Sequence, residues 1–164
     1  MTTKTIRKLE VTCQRLENAL RRTKSLLAAA RQRALRREDH RRDRKYLALG
    51  YAVDAAMSHI WTERQTRAID QAVAYIYQLD DVSGTTRIQR IRRGVVVCAM
   101  LLSGEIPVSD IETAALRYLP RHQQTRVLHA LADREALLSE IAQEIAASSP
   151  DSNSYFEHLT TTLQ

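Results

Sequence analysis

Residues 31–45, RQRALRREDHRRDRK, hold seven arginines and one lysine against three acids. Guanidinium groups keep their charge at any physiological pH and grip phosphate oxygens two at a time, so such a run is chemistry for a polyanion. The residues concerned are Arg31, Arg33, Arg36, Arg37, Arg41, Arg42, Arg44 and Lys45. A helix turns about 100° per residue, which brings Arg33, Arg37, Arg41, Arg44 and Lys45 onto one broad face. Glu38 and Arg42 stand at a favourable i,i+4 spacing, whereas Asp39 and Asp43 repel. The excess of five positive charges over fifteen residues exceeds what helix pairing needs. A solvated face and a docking surface for an acidic protein are the competing readings. No aromatic residue stands between the arginines, which favours contact with a duplex backbone over stacking on single-stranded bases.

A second group, Arg87, Arg90, Arg92 and Arg93, falls within RIQRIRRG. Cations at a helix start oppose the helix dipole, so they need a ligand or an acidic neighbour. Arg87, Arg90 and Arg93 either extend the same footprint or pair with the Asp80–Asp81 loop. Other chemistry is thin. His40, His59, His122, His129 and His158 show no i,i+4 pair and no metal-site pattern. Asp54, Glu63, Asp70 and Asp80 are scattered, without a convergent partner. No G-x-S-x-G or dinucleotide fingerprint is present, and four glycines give little material for a phosphate loop. The expectation is a protein that is not an enzyme and takes no metal or cofactor.

Fifteen of the 25 basic residues, but five of the 19 acidic ones, precede residue 46. Such asymmetry suggests a nucleic-acid or membrane-surface partner for the basic part and an ordinary acidic unit for the rest. No apolar stretch reaches membrane-spanning length, and the N-terminus lacks a signal-peptide core, so no membrane insertion and a cytoplasmic location are expected. Cys13 and Cys98 have no C-x-x-C partner and read as buried small hydrophobes.

Four Gly and three Pro in 164 residues leave few turns, which predicts long helices rather than a sheet. Residues 5–45 read as one helix, with apolar positions Ile6, Leu9, Cys13, Leu16, Leu20 and Leu27, then Ala30 and Ala34, at alternating spacings of 3 and 4. Thr23 interrupts this heptad seam. A lone helix cannot bury such a stripe, so pairing with a second copy through residues 6–30 is expected; packing on the chain's own later helices is the alternative. A globular unit begins near residue 46. Gly50 sits inside a helical pattern and calls for a close crossing or a change of direction. Thr62 caps a helix carrying Ile69, Val73 and Ile76 inward. A further helix, 86–103, puts Ile88, Ile91, Val95, Cys98 and Leu102 on one face. Ser109 and Glu112 form a capping-box pattern for a short helix ending before Pro120. Residues 121–131 and 133–147 make two helices or one bent one, and residues 148–164 a linker and tail.

The stretch LENALRRTKSLLAAARQRALRREDHRRDRKYLALGYAV, with Lys45, Tyr46, Leu47, Leu49 and Gly50 after the basic run, resembles plasmid conjugation and mobilisation accessory proteins of the TraD/MobC type. The resemblance covers about residues 9–57. It implies binding to DNA near a transfer origin and assistance to a relaxase, without DNA cleavage.

The sequence therefore predicts an all-α protein: a basic coiled-coil helix over 1–45, a compact helical bundle over 46–147, and a tail. Its expected role is a homodimeric accessory factor on double-stranded DNA that recruits a relaxase or coupling protein. The alternative is a protein–protein adaptor whose coil and arginines meet an acidic partner. RNA binding by the same helix is a third option.

Overall fold

The computed structural model describes residues 3–82, 84 and 86–148. The expected linker and tail, residues 148–164, lie outside them except for Ser148, which ends the last helix. Six α-helices follow in order: α1 (Thr3–Met57), α2 (Glu63–Tyr77), α3 (Arg87–Leu102), α4 (Val108–Tyr118), α5 (Arg121–Ala132) and α6 (Arg134–Ser148). There is no strand among the described residues. The chain divides into two units, residues 1–41 and 42–164.

Helix α1 continues past residue 45 to Met57. The stretch from Thr3 to Leu49 contains no Gly or Pro and is rich in Ala, Leu and Arg, so nothing in it favours a break. In the first unit, Thr12 and Thr23 donate their hydroxyls to the carbonyls of Lys8 and Ala19, 2.9 Å away in both cases. Their polarity is thereby satisfied without leaving the helix.

The second unit is built on the last turns of α1. Tyr46, Leu49, Ala52, Val53 and Ala56 are fully buried, with Ile69 and Val73 from α2, Val97 and Cys98 from α3, Ile111 from α4, Val127 from α5 and Leu137 from α6. The expected inward positions Ile69 and Val73 are buried and Ile76 is half-buried. On α3, Val95 and Cys98 are buried, but Ile88 is 61 % exposed. Ile88 keeps the apolar face of α3, about 20° from Val95 at 100° per residue, but the first residues of the helix lie beyond the packed region.

Gly50 marks a crossing. A Cβ added there would stand 2.0 Å from the Arg90 carbonyl oxygen, and one added to Gly94 would stand 1.9 Å from that of Tyr46. Each glycine lies one helical turn from the residue its partner touches. Helices α1 and α3 therefore meet backbone to backbone, each supplying the gap the other fills. A mid-helix glycine costs about 1 kcal/mol relative to alanine, and this approach offsets it.

The ends of the helices carry their own signals. Thr62 and Gln65 form the expected capping box of α2, and Thr86 and Gln89 form a second one at α3. Ser109 does not cap α4. Pro107 is already the extended N-cap residue, which leaves Ser109 inside the first turn. Pro120 separates α4 from α5, and the Gln124 side chain donates to the carbonyls of Leu116 (3.2 Å) and Leu119 (2.7 Å), closing the end of α4. Residues 121–148 are two helices, divided at Asp133.

Candidate nucleic-acid interface

In the first unit the seam residues Ile6, Leu9, Cys13, Leu16, Leu20 and Leu27 are all exposed. Cys13 thus differs from its expected burial: in the single chain none of the described residues covers this stripe. The 3-and-4 spacing then runs on through Ala30 and Ala34 to Arg37 and Arg41. One side of the helix changes from aliphatic to guanidinium without losing its period. Arg33, Arg37 and Arg41 stand one turn apart over about 12 Å, at 1.5 Å of rise per residue. Arg31 and Arg36 flank them. These five arginines are exposed and make no ion pair or hydrogen bond among the described residues.

The remaining basic positions of the run belong to the second unit. Arg44 is exposed, while Arg42 and Lys45 are half-buried. Lys45 donates to Asp133 Oδ2 at 3.1 Å, which ties α1 to the α5–α6 junction. That pair is partly exposed and adds little stability.

The second arginine group has a different fate. Arg93 is buried, with 7 % of its surface accessible. Its guanidinium donates to Asp54 Oδ1 (2.7 Å), Asp70 Oδ1 (3.1 Å) and the Val82 carbonyl (3.3 Å). Arg90 donates to Asp54 Oδ2 at 2.9 Å, and its guanidinium lies 4.5 Å from the centre of the Tyr51 ring. Arg92 sits 5.0 Å from the centre of the Tyr77 ring. Arg87 alone of the four is exposed. The acidic neighbours of Arg90 and Arg93 are thus Asp54 and Asp70, two acids that look scattered in the sequence. They bridge the end of α1, α2, α3 and the connection at Val82. Once buried, such an arginine needs both carboxylates, because an unpaired charge in the interior is strongly unfavourable.

Cys98 is buried beside Val97 in the core. Burial, with the nearby Glu140 carboxylate adding to it and Lys45 opposing it, pushes its thiol up to about 12. It stays a neutral thiol and is no nucleophile at neutral pH. Among the described residues, no helix is long and apolar enough to cross a membrane.

Sequence reasoning missed the Asp54–Arg93–Asp70 cluster, the second capping box and the part played by Gly94. Thr86 and Gln89 carried a readable signal, an N-cap hydroxyl three residues before Gln. Compared with protein-family models, curated proteins and solved structures, the chain matches none of them.

Proposed function

We propose that this protein binds double-stranded DNA through phosphate contacts made by α1. The observation that carries the reading is the row Arg33, Arg37 and Arg41, flanked by Arg31 and Arg36, exposed and without partners among the described residues. Guanidinium groups left unpaired over several turns are free to meet phosphate oxygens. Arg42, Arg44 and Arg87 are secondary contributors. Arg90, Arg93 and Lys45 are engaged within the second unit and contribute least. The role is that of an accessory factor in the cytoplasm, similar to the mobilisation proteins that the N-terminal third resembles. The second unit recruits a protein such as a relaxase or coupling protein, and the chain catalyses nothing itself.

The test is fluorescence anisotropy with a labelled random duplex at several salt concentrations, beside a variant with Arg33, Arg37 and Arg41 changed to Ala. Neutralising about six phosphates predicts a log–log salt slope of about −5, reduced by about 1 for each contact removed. A duplex that does not bind at physiological salt sinks the reading and favours the adaptor, in which the same arginines face an acidic protein.

A further inference from the structure

We infer that the exposed aliphatic stripe of α1 is covered by a second copy of this chain, running antiparallel, with residue i of one helix level with residue 43 − i of the other. The inference concerns the first unit only; it engages Arg31, a flanking arginine of the DNA reading, and leaves that reading to rest on Arg33, Arg37 and Arg41.

The heptad pattern limits the choice. With Ile6, Cys13, Leu20, Leu27 and Ala34 at the first core position and Leu9, Leu16, Thr23 and Ala30 at the second, the stripe narrows toward its C-terminal half. In a parallel in-register pair, like meets like. Ala30 would face Ala30 and Ala34 would face Ala34, leaving two thin layers. Further on, Arg37 would face Arg37 and Arg41 would face Arg41 inside the seam. The antiparallel pair sets large against small: Leu9 meets Ala34 of the second copy, and Cys13 meets Ala30. Leu16 and Leu27 fill the layer nearer the centre. Arg37 then lies level with Ile6 of the second copy, in the last layer of the stripe, where its guanidinium can extend to solvent, and it does not face a second arginine.

Charge fixes the register. Flanking positions of a coiled coil set partner and orientation. Residues 10, 17, 24 and 31 all flank the seam on the same side, and they are Glu10, Glu17, Lys24 and Arg31. The antiparallel arrangement places Glu10 beside Arg31 of the second copy and Glu17 beside Lys24. Two-fold symmetry repeats both pairs. A shift of one heptad in one direction brings Glu17 against its own copy, and in the other brings Lys24 against its own copy. A parallel pair gains only Arg33 with Glu38. The exposed Leu26, on the other flank, meets Ala19 of the second copy, which covers a side chain that is 67 % exposed in the single chain.

Native Cys13 makes the orientation measurable, and buried Cys98 stays silent. The full-length protein is studied by sedimentation equilibrium at micromolar concentration and by mild oxidation followed by non-reducing electrophoresis, without DNA. The expected results are a dimer in sedimentation, little covalent dimer from the unaltered chain, and a high yield from Ala30→Cys. That yield should be lost on adding Cys13→Ser, because the bond joins Cys13 to residue 30 of the other copy. A monomer overturns the inference. So does a Cys13–Cys13 bond in the unaltered chain, or a crosslink in Ala30→Cys that survives Cys13→Ser, since both require parallel helices. None of these readouts involves DNA or the row Arg33, Arg37 and Arg41, so failure here leaves the DNA reading standing and the reverse also holds.

Discussion

The arginines of residues 31–41 and those of residues 87–93 look alike as strings, yet they end in opposite surroundings. Arg33, Arg37 and Arg41 are exposed, and Arg93 is buried between Asp54 and Asp70. Hydrophobic residues divide the same way: Leu16 and Leu20 lie bare on the first unit, whereas Leu49 and Val53 of the same helix are fully buried in the second. Residue type does not decide the outcome. What decides it is whether carboxylates and apolar neighbours arrive from elsewhere in the chain. A cluster of arginines is a surface only where folding brings no acid to it.

The sharpest way to break this comparison is at the crossing that builds the second unit. Trp61 is buried in the core of the second unit, and Gly94→Leu should abolish the cooperative loss of its fluorescence on heating. Gly94→Ala should destabilise by about 3 kcal/mol, because the obstacle is a backbone carbonyl that cannot rotate away. The part of α1 in the first unit makes no use of that crossing. A variant that melts like the unaltered protein would show that α1 and α3 do not meet at their glycines.

Next in size is the contrast between the arginines themselves. Arg93→Met strands Asp70 and removes one partner of Asp54, at a cost of about 3 kcal/mol. Arg37→Met leaves the unfolding free energy of the second unit, measured in urea, unchanged within about 0.5 kcal/mol. Equal effects from the two substitutions would erase the distinction drawn here. The smallest effect sharpens rather than tests it. Gln78 ends α2 in the left-handed region, at φ 49° and ψ 48°, where a side chain is strained and glycine is not. Gln78→Gly should raise the unfolding free energy measured in urea by about 0.5 kcal/mol, confined to the second unit.

Much of the architecture was legible because helical signals are local. Scarcity of Gly and Pro, a heptad period from Ile6 to Leu27, and Thr62 before Gln65 all act within one or two turns. Readings failed where a longer-range fact governed. The S-x-x-E pattern at Ser109 matched a cap, but Pro107 had already started the helix. Ile88 kept the helical period yet lies beyond the packed part of α3. Asp54 and Asp70 stand 39 and 23 residues from Arg93, and nothing in their neighbourhoods announces that they converge. The row Arg33, Arg37 and Arg41 was readable for the opposite reason. A stripe on a helix needs only the sequence and the helical turn.

The reciprocal glycine contact has a consequence for how the second unit opens. Most helix pairs are joined by side chains that swap rotamers and let one helix breathe against the other. Here a main-chain carbonyl rests on a bare Cα on both sides, so separating α1 from α3 by a small amount gains no new packing. Amide hydrogens near Tyr46–Val53 and Arg90–Val97 then exchange with solvent only when the whole unit unfolds. Those of residues 3–41 owe nothing to that crossing. The slowest protons of the protein therefore mark the crossing, and their rate measures the global stability of that unit.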